Sequence, residues 1–226
     1  MRSVAKLIGA AMALAVTGLA GPALADFSAC DAGLRATDPE QQVRAYTLCI
    51  TQGELPIDGR AGAYNNRGIA YERLKQMDKA FQDFNSAIES DPYWATSYMN
   101  RAMIYRSRGD LPKALADFDQ AIKVGPASIS VDAYNIEAWL LATSRDPAVR
   151  DGAKAVRLAQ KAVKIKDSWA ARDTLAAAYA EVGQFEDAAR EQTKAIALAD
   201  SKHETEHVAE MQARLTLYQM GMPYRR

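Results

Sequence analysis

The chain has 226 residues, and its 28 basic and 28 acidic side chains give a formal net charge of zero. That balance argues against a nucleic-acid partner, which would need a basic face. The length and the alanine- and charge-rich composition suit one helical array better than several domains.

In chain order, Arg2 and Lys6 precede an apolar run from Leu7 to Ala20, followed by Gly21-Pro22 and Ala23-Leu24-Ala25. A charged start, a short apolar run and an Ala-x-Ala site predict a removable secretory leader over residues 1–25. The run is too short for a membrane-spanning helix, and no other stretch could span a bilayer. The protein is therefore expected to be exported and periplasmic, with no transmembrane segment after cleavage. Losing Arg2 and Lys6 leaves 26 basic against 28 acidic residues. Cys30, preceded by the small residues Ser28 and Ala29, raises the alternative of a lipid-anchored envelope assembly factor. Asp26 and Phe27 stand between the apolar run and this cysteine, which favours cleavage after Ala25.

Residues 26–60 read as an N-terminal helical segment. Asp38-Pro39-Glu40 is a helix start, with Asp as cap and Pro in the first turn, and the helix should run to Gln52 and stop at Gly53. Cys30 and Cys49 are the two cysteines of the chain, and an exported chain meets an oxidising compartment. They are expected to bond, pinning an extended lead-in to this helix, with a contribution of about 3 kcal/mol in the chain-entropy model. Their spacing is far too long for a Cys-x-x-Cys redox pair. Gly53 to Gly62 is expected to be a loop, broken by Pro56 and Gly59.

A phrase then occurs twice, 34 residues apart. Tyr64-Asn65-Asn66-Arg67-Gly68-Ile69-Ala70-Tyr71, Lys79-Ala80-Phe81-Gln82-Asp83-Phe84 and Ala87-Ile88 return as Tyr98-Met99-Asn100-Arg101-Ala102-Met103-Ile104-Tyr105, Lys113-Ala114-Leu115-Ala116-Asp117-Phe118 and Ala121-Ile122. Tyr64, Gly68 and Tyr71 share one face of a first helix, and Ala80, Phe84, Ala87 and Ile88 make the matching face of a second. Neither helix buries enough alone, so each hairpin must stack on the next. The phrase resembles the tetratricopeptide repeat (TPR), with its aromatic, small, aromatic, Ala, aromatic, Ala and Pro positions.

A third repeat is disguised. Tyr134 to Trp139 echoes Tyr64 to Ile69, and Ala155, Ala159, Ala162 and Val163 align with Ala80, Phe84, Ala87 and Ile88, with five extra residues in the turn from Ser144 to Gly152. That irregular turn is a candidate for recognition, or a harmless insertion. The fourth repeat has Ala176, Tyr179, Gly183, Ala188, Ala195 and Ile196. Repeat boundaries are placed at 61–94, 95–128, 131–168 and 169–202, and the ladder Ala87, Ala121, Ala162, Ala195 steps by 34, 41 and 33. Residues 203–226 are expected to form a capping helix from Glu204 to Met220 and a tail. The resemblance covers about residues 61–226, is similar in its later repeats to a bacterial TPR subgroup, and implies an all-α, right-handed superhelix with a protein-binding habit.

His203-Glu204-Thr205-Glu206-His207 matches His-Glu-x-x-His, in which two histidines one helical turn apart hold zinc. A catalytic zinc site wants a third protein ligand and substrate-holding structure. Beyond Glu210 there is no Asp, Glu, His or Cys, so a peptidase is the weaker alternative and no metal or cofactor is expected. Arg67 and Arg101, with Asp83 and Asp117, recur at the repeat period and read as ion pairs between packed helices, worth about 0–1 kcal/mol where exposed. Lys154, Arg157, Lys161 and Lys164 read as a solvated basic stripe.

Some TPR domains grip a partner's terminal carboxylate with Lys and Asn. The corresponding positions here are Asn65 and Ile69, then Asp132 and Ile136, so that clamp is absent. In this architecture the residues one step beyond the first-helix core face the concave side. They are Asn65, Ile69 and Glu72, Met99, Met103 and Arg106, Asn135, Trp139 and Ala142, then Asp173, Ala177 and Ala180. Met103, Arg106 and Trp139 are expected to contribute most to a protein or peptide partner. The sequence thus predicts a non-enzymatic scaffold or adaptor of the bacterial cell envelope.

Overall fold

The computed structural model describes residues 28–52, 55–201 and 204–226. The expected leader, Gly53 and His203 lie outside the described residues. The elements in order are α1 (Ser28–Arg35), α2 (Pro39–Gln52), α3 (Ile57–Arg73), α4 (Met77–Ser90), α5 (Ala95–Ser107) and α6 (Leu111–Val124). They continue with α7 (Ala127–Thr143), α8 (Gly152–Ile165), α9 (Trp169–Glu181), α10 (Phe185–Ser201), a 3₁₀ turn at Thr205–His207 and α11 (Val208–Gln219). There is no strand among the described residues. None of the described helices is long and apolar enough to cross a membrane.

Consecutive helices pair into the hairpins α3/α4, α5/α6, α7/α8 and α9/α10, with α1/α2 packed before them and α11 on α10. The two helix types bury themselves differently. Second helices carry one apolar stripe: Ala80, Phe84 and Ala87 on α4, and Ala114, Phe118 and Ala121 on α6, all fully buried. First helices lie between their own partner and the preceding hairpin, so α9, packed against α7, α8 and α10, buries Ala171, Leu175, Ala176, Ala177, Ala178 and Ala180 on several sides. Close approach needs small residues: a Cβ on Gly68 would stand 2.6 Å from Phe84 Cε1.

The turn within each regular hairpin uses one residue in the left-handed region. Gly109 (φ 78°) and Gly183 (φ 77°) hold this place in the second and fourth hairpins, and Lys75 (φ 61°) holds it in the first. The periodic arginines are more deeply engaged than a surface pair. Arg67 donates to both carboxylate oxygens of Asp83 at 2.8 and 2.7 Å, and Arg101 to both of Asp117 at 2.7 Å. Each arginine also reaches back to the preceding hairpin or helix pair, Arg67 to Thr47 Oγ1 and Arg101 to Asn85 Oδ1. With Asp83 and Asp117 each 5% exposed, removing one partner would cost about 3–5 kcal/mol rather than the 0–1 kcal/mol of an exposed pair.

Several boundaries differ from expectation. The lead-in holding Cys30 is helical, not extended: α1 is too short to persist alone, but it lies against α2, with Gly33 under the Tyr46 ring. The Cys30–Cys49 disulfide joins the two helices at a Cα separation of 5.1 Å. Helix α3 starts at Ile57, inside the expected loop, because Pro56 needs no N–H at a helix start and its carbonyl accepts from Arg60. The capping helix starts at Val208 rather than Glu204, after the 3₁₀ turn. The basic stripe is solvated at Arg157, Lys161 and Lys164, which are exposed, but not at Lys154. Lys154 Nζ lies 2.6 Å from Glu137 and 2.9 Å from Asp119, and Lys161 sits over the Tyr134 ring.

Candidate functional site

First helices of successive hairpins, together with α11 and the residues after it, enclose an open groove of about 730 Å³. Helix α5 contributes Arg106; α7 contributes Asn135, Ile136 and Trp139; α9 contributes Trp169, Ala170, Asp173 and Thr174. Helix α11 adds Glu210, Ala213, Arg214 and Leu217, a 3- and 4-residue spacing that puts them on one face. His207, Tyr224 and Arg226 complete the wall. A smaller cavity of about 270 Å³ shares Arg106, Trp139 and Arg226 and is otherwise lined by Leu111, Leu140, Thr143 and Ser144.

The far wall is held by a buried charge pair. Arg214 Nε and Nη2 donate to the two oxygens of Asp173, both at 2.9 Å, and Gln192 Nε2 donates to the same carboxylate at 2.7 Å. Burial pushes the Asp173 carboxyl up from its ordinary value, and Arg214 and Gln192 pull it back. The Arg214 guanidinium also lies 5.4 Å from the Trp139 ring centre and 5.5 Å from that of Tyr224. The two rings are 5.9 Å apart and tilted at 44°. Trp169 stacks on His207 at 4.7 Å and donates its indole N–H to Glu204. Two tryptophans are thus fixed in place with part of each ring still facing the groove.

The near wall is different. Arg106 and Arg226 make no side-chain hydrogen bond or ion pair with any described residue. Burial lowers the Arg106 pKa from its ordinary value, and the charge of Arg226 lowers it further.

The irregular turn from Ser144 to Asp151 is occupied by the chain itself. The Arg226 N–H donates to Thr143 O at 2.8 Å, the Arg145 N–H to Arg226 O at 3.3 Å, and Arg225 Nη1 to Ala142 O at 3.2 Å. Glu181 receives Arg225 at 2.5 Å and Arg150 at 3.0 Å, and Arg150 in turn donates to Ser144 O. The extra residues hold the tail, which crosses back from α11 to the end of α7.

Of the twelve concave-side residues expected from sequence, the groove brings together Arg106, Asn135, Trp139 and Asp173. Asn65 is a correction: it is 3% exposed, and its Oδ1 accepts from Ser97 and Asn100 across the α3–α5 packing. Ile69 packs on Ala80, Phe84 and Ile104, and Met99 and Met103 pack on the cluster around Ala102 and Phe118. Glu72 is half-buried and away from the groove walls. Ala142, Ala177 and Ala180 are buried. The covering element differs along the array: Asn65 is covered across α3 and α5, and Ala142 and Ala177 where α7 packs on α9, whereas Ile69, Met99 and Met103 rest against the second helices α4 and α6. Trp169, His207 and the residues of α11 were missed. Trp169 stands one helical turn before Asp173, so extending the same row backwards would have found it. His207 drew attention only as half of a zinc motif. His203 lies outside the described residues, and the 3₁₀ turn at Thr205–His207 is not the α-helix that motif requires. No group of three or more His, Cys, Asp or Glu is placed to hold a metal among the described residues.

Stacked antiparallel hairpins with a groove along their first helices define an α-solenoid. A family model for the tetratricopeptide repeat matches residues 61–93 and 95–127. The matched segments are the first two hairpins, α3/α4 and α5/α6. A tetratricopeptide repeat protein from Parabacteroides merdae superposes with a TM-score of 0.66 at 18% identity, over 86% of this chain and 72% of its own. BtubC from P. vanneervenii does so with a TM-score of 0.62 at 19% identity, over 74% and 75%. MamA gives 0.59 at 19% identity, over 79% and 94%. At these identities the likeness is one of fold. No curated protein sequence matches the chain significantly.

Proposed function

We propose that this protein is a non-enzymatic interaction scaffold, exported to the bacterial cell envelope, that holds a segment of a partner protein in the groove between α5, α7, α9 and α11. The observation that carries this reading is the groove itself: about 730 Å³, open, and walled by Trp139 and Trp169, both held by specific contacts. Tryptophan and arginine on a rigid wall are the usual anchors of protein recognition. The leader-like residues 1–25 and a disulfide between the two cysteines support export.

The test is site-specific photocrosslinking in the native envelope. A photoreactive residue replacing Ala213, which is exposed on the groove wall, should capture a discrete partner. The same residue at the exposed Lys123 on α6 should not. Capture from Lys123 alone would place recognition elsewhere. Fusion of residues 1–30 to a reporter active only after export tests the leader, and a cytoplasmic reporter would refute it.

A further inference from the structure

Charge is distributed unevenly along the groove. At the α11 end, Arg214 is matched by Asp173, and the exposed Glu210 lies 3.7 Å from Arg214. At the α5 end, Arg106 and Arg226 are the charged side chains lining the smaller cavity, and no Asp or Glu side chain lines it with them. Neither guanidinium has a hydrogen bond or ion pair among the described residues. Two guanidinium groups facing one half-enclosed space without a side-chain partner favour an occupant that brings negative charge.

The rest of the lining decides what kind of anion this is. Beside the two guanidinium groups stand Trp139, Leu111 and Leu140, and the adjoining groove adds Ile136, Leu217 and Trp169. A free inorganic ion would leave these apolar walls wet. An extended chain that alternates side chains to either side covers them while directing carboxylates to the arginines. Guanidinium groups recognise carboxylates through paired, charge-assisted hydrogen bonds.

We propose that Arg106 and Arg226 bind side-chain carboxylates of an acidic, extended segment of the partner protein, whose apolar side chains lie against Trp139 and Trp169. This rests on the groove being the recognition site. The segment runs with its acidic part at the α5 end and its neutral or apolar part towards Glu210, where a second carboxylate would be repelled.

The two readings separate in one selection. Random 12-residue peptides displayed on phage are selected against the whole mature protein, and recovered peptides are measured by fluorescence anisotropy. Binders should be enriched in Asp and Glu, lose about tenfold or more in affinity with Arg106→Gln plus Arg226→Gln, and weaken as salt rises. They should also be lost with Ala213→Trp, which fills the groove from an exposed position. Because the arginine substitutions remove a repulsion and no contact, the thermal midpoint should stay level or rise slightly, which separates lost binding from lost folding. Binders that need an open groove but show no acidic enrichment, or survive the double arginine change, overturn the acidic-segment proposal and leave the groove reading standing. Binders indifferent to Ala213→Trp, or no binders at all, overturn both.

Discussion

Lys75 shows how a single residue departs from the repeat. Its φ of 61° is the conformation that Gly109 and Gly183 adopt at the equivalent turns. A Cβ there costs roughly 1–2 kcal/mol, of which glycine's extra freedom in the unfolded chain takes back about 0.4–1 kcal/mol. Lys75→Gly should therefore raise stability by about 0.5–1 kcal/mol in urea denaturation, with the helical spectrum unchanged. Glu137 is a different kind of exception. It is completely buried and lies 2.6 Å from Lys154 Nζ, which also binds both oxygens of Asp119. Burial pushes its pKa up to about 7; the Lys154 hydrogen bond opposes this, and the charge of Asp119 adds to it. The folded state therefore holds the Glu137 proton more tightly than the unfolded chain does. Its stabilising effect is complete below about pH 4.5 and is lost as pH rises through about 7. At about 1.4 kcal/mol per pH unit of such a window, Glu137→Gln should flatten the fall in stability between these pH values. An unchanged slope in denaturant titrations at both ends would show that Glu137 is ionised throughout.

At the scale of elements, the unusual feature is the pairing of the long α7–α8 turn with the tail. The turn's backbone receives Arg225 and Arg226, while Arg150 and Arg225 converge on Glu181 at the end of α9. Three otherwise separate segments are tied together there. Arg225→Ala leaves Glu181 with Arg150 alone and frees the carbonyl of Ala142, at a cost of about 1–3 kcal/mol. Amide exchange over residues 142–151 should accelerate with this change, while that of the first two hairpins should not. Tyr224→Ala should uncover Trp139, whose ring Tyr224 partly covers at 5.9 Å, and shift indole fluorescence to the red.

For the whole molecule, a solenoid in which each unit contacts mainly its neighbours confines damage to where it occurs. Reducing Cys30–Cys49, or replacing both with Ala, should remove about 3 kcal/mol by the chain-entropy account. The loss should fall on α1 and α2. Limited proteolysis should then cut within residues 28–52 while leaving a resistant core from α3 onwards; uniform loss of protection would mean that the two ends are coupled through the array. The fold of that array was legible from sequence alone, because hairpin stacking is a local problem. Tyr64, Gly68, Phe84 and Ala87 and their repeats state which faces meet, and Arg67–Asp83 and Arg101–Asp117 followed from period alone, since a pair at constant offset in a constant hairpin must recur. The two cysteines likewise had each other as sole possible intrachain partner. The groove was not legible in the same way. Whether Asn65 or Trp139 faces solvent depends on how closely successive first helices approach, and that distance is set by packing across units rather than by spacing within one. The tail's return to the α7–α8 turn joins residues 83 positions apart, as Arg225 and Ala142 are, and it leaves two unmatched arginines beside Trp139 that lie further apart still in the chain. No repeat period records such a contact; only the closing of the superhelix brings them together.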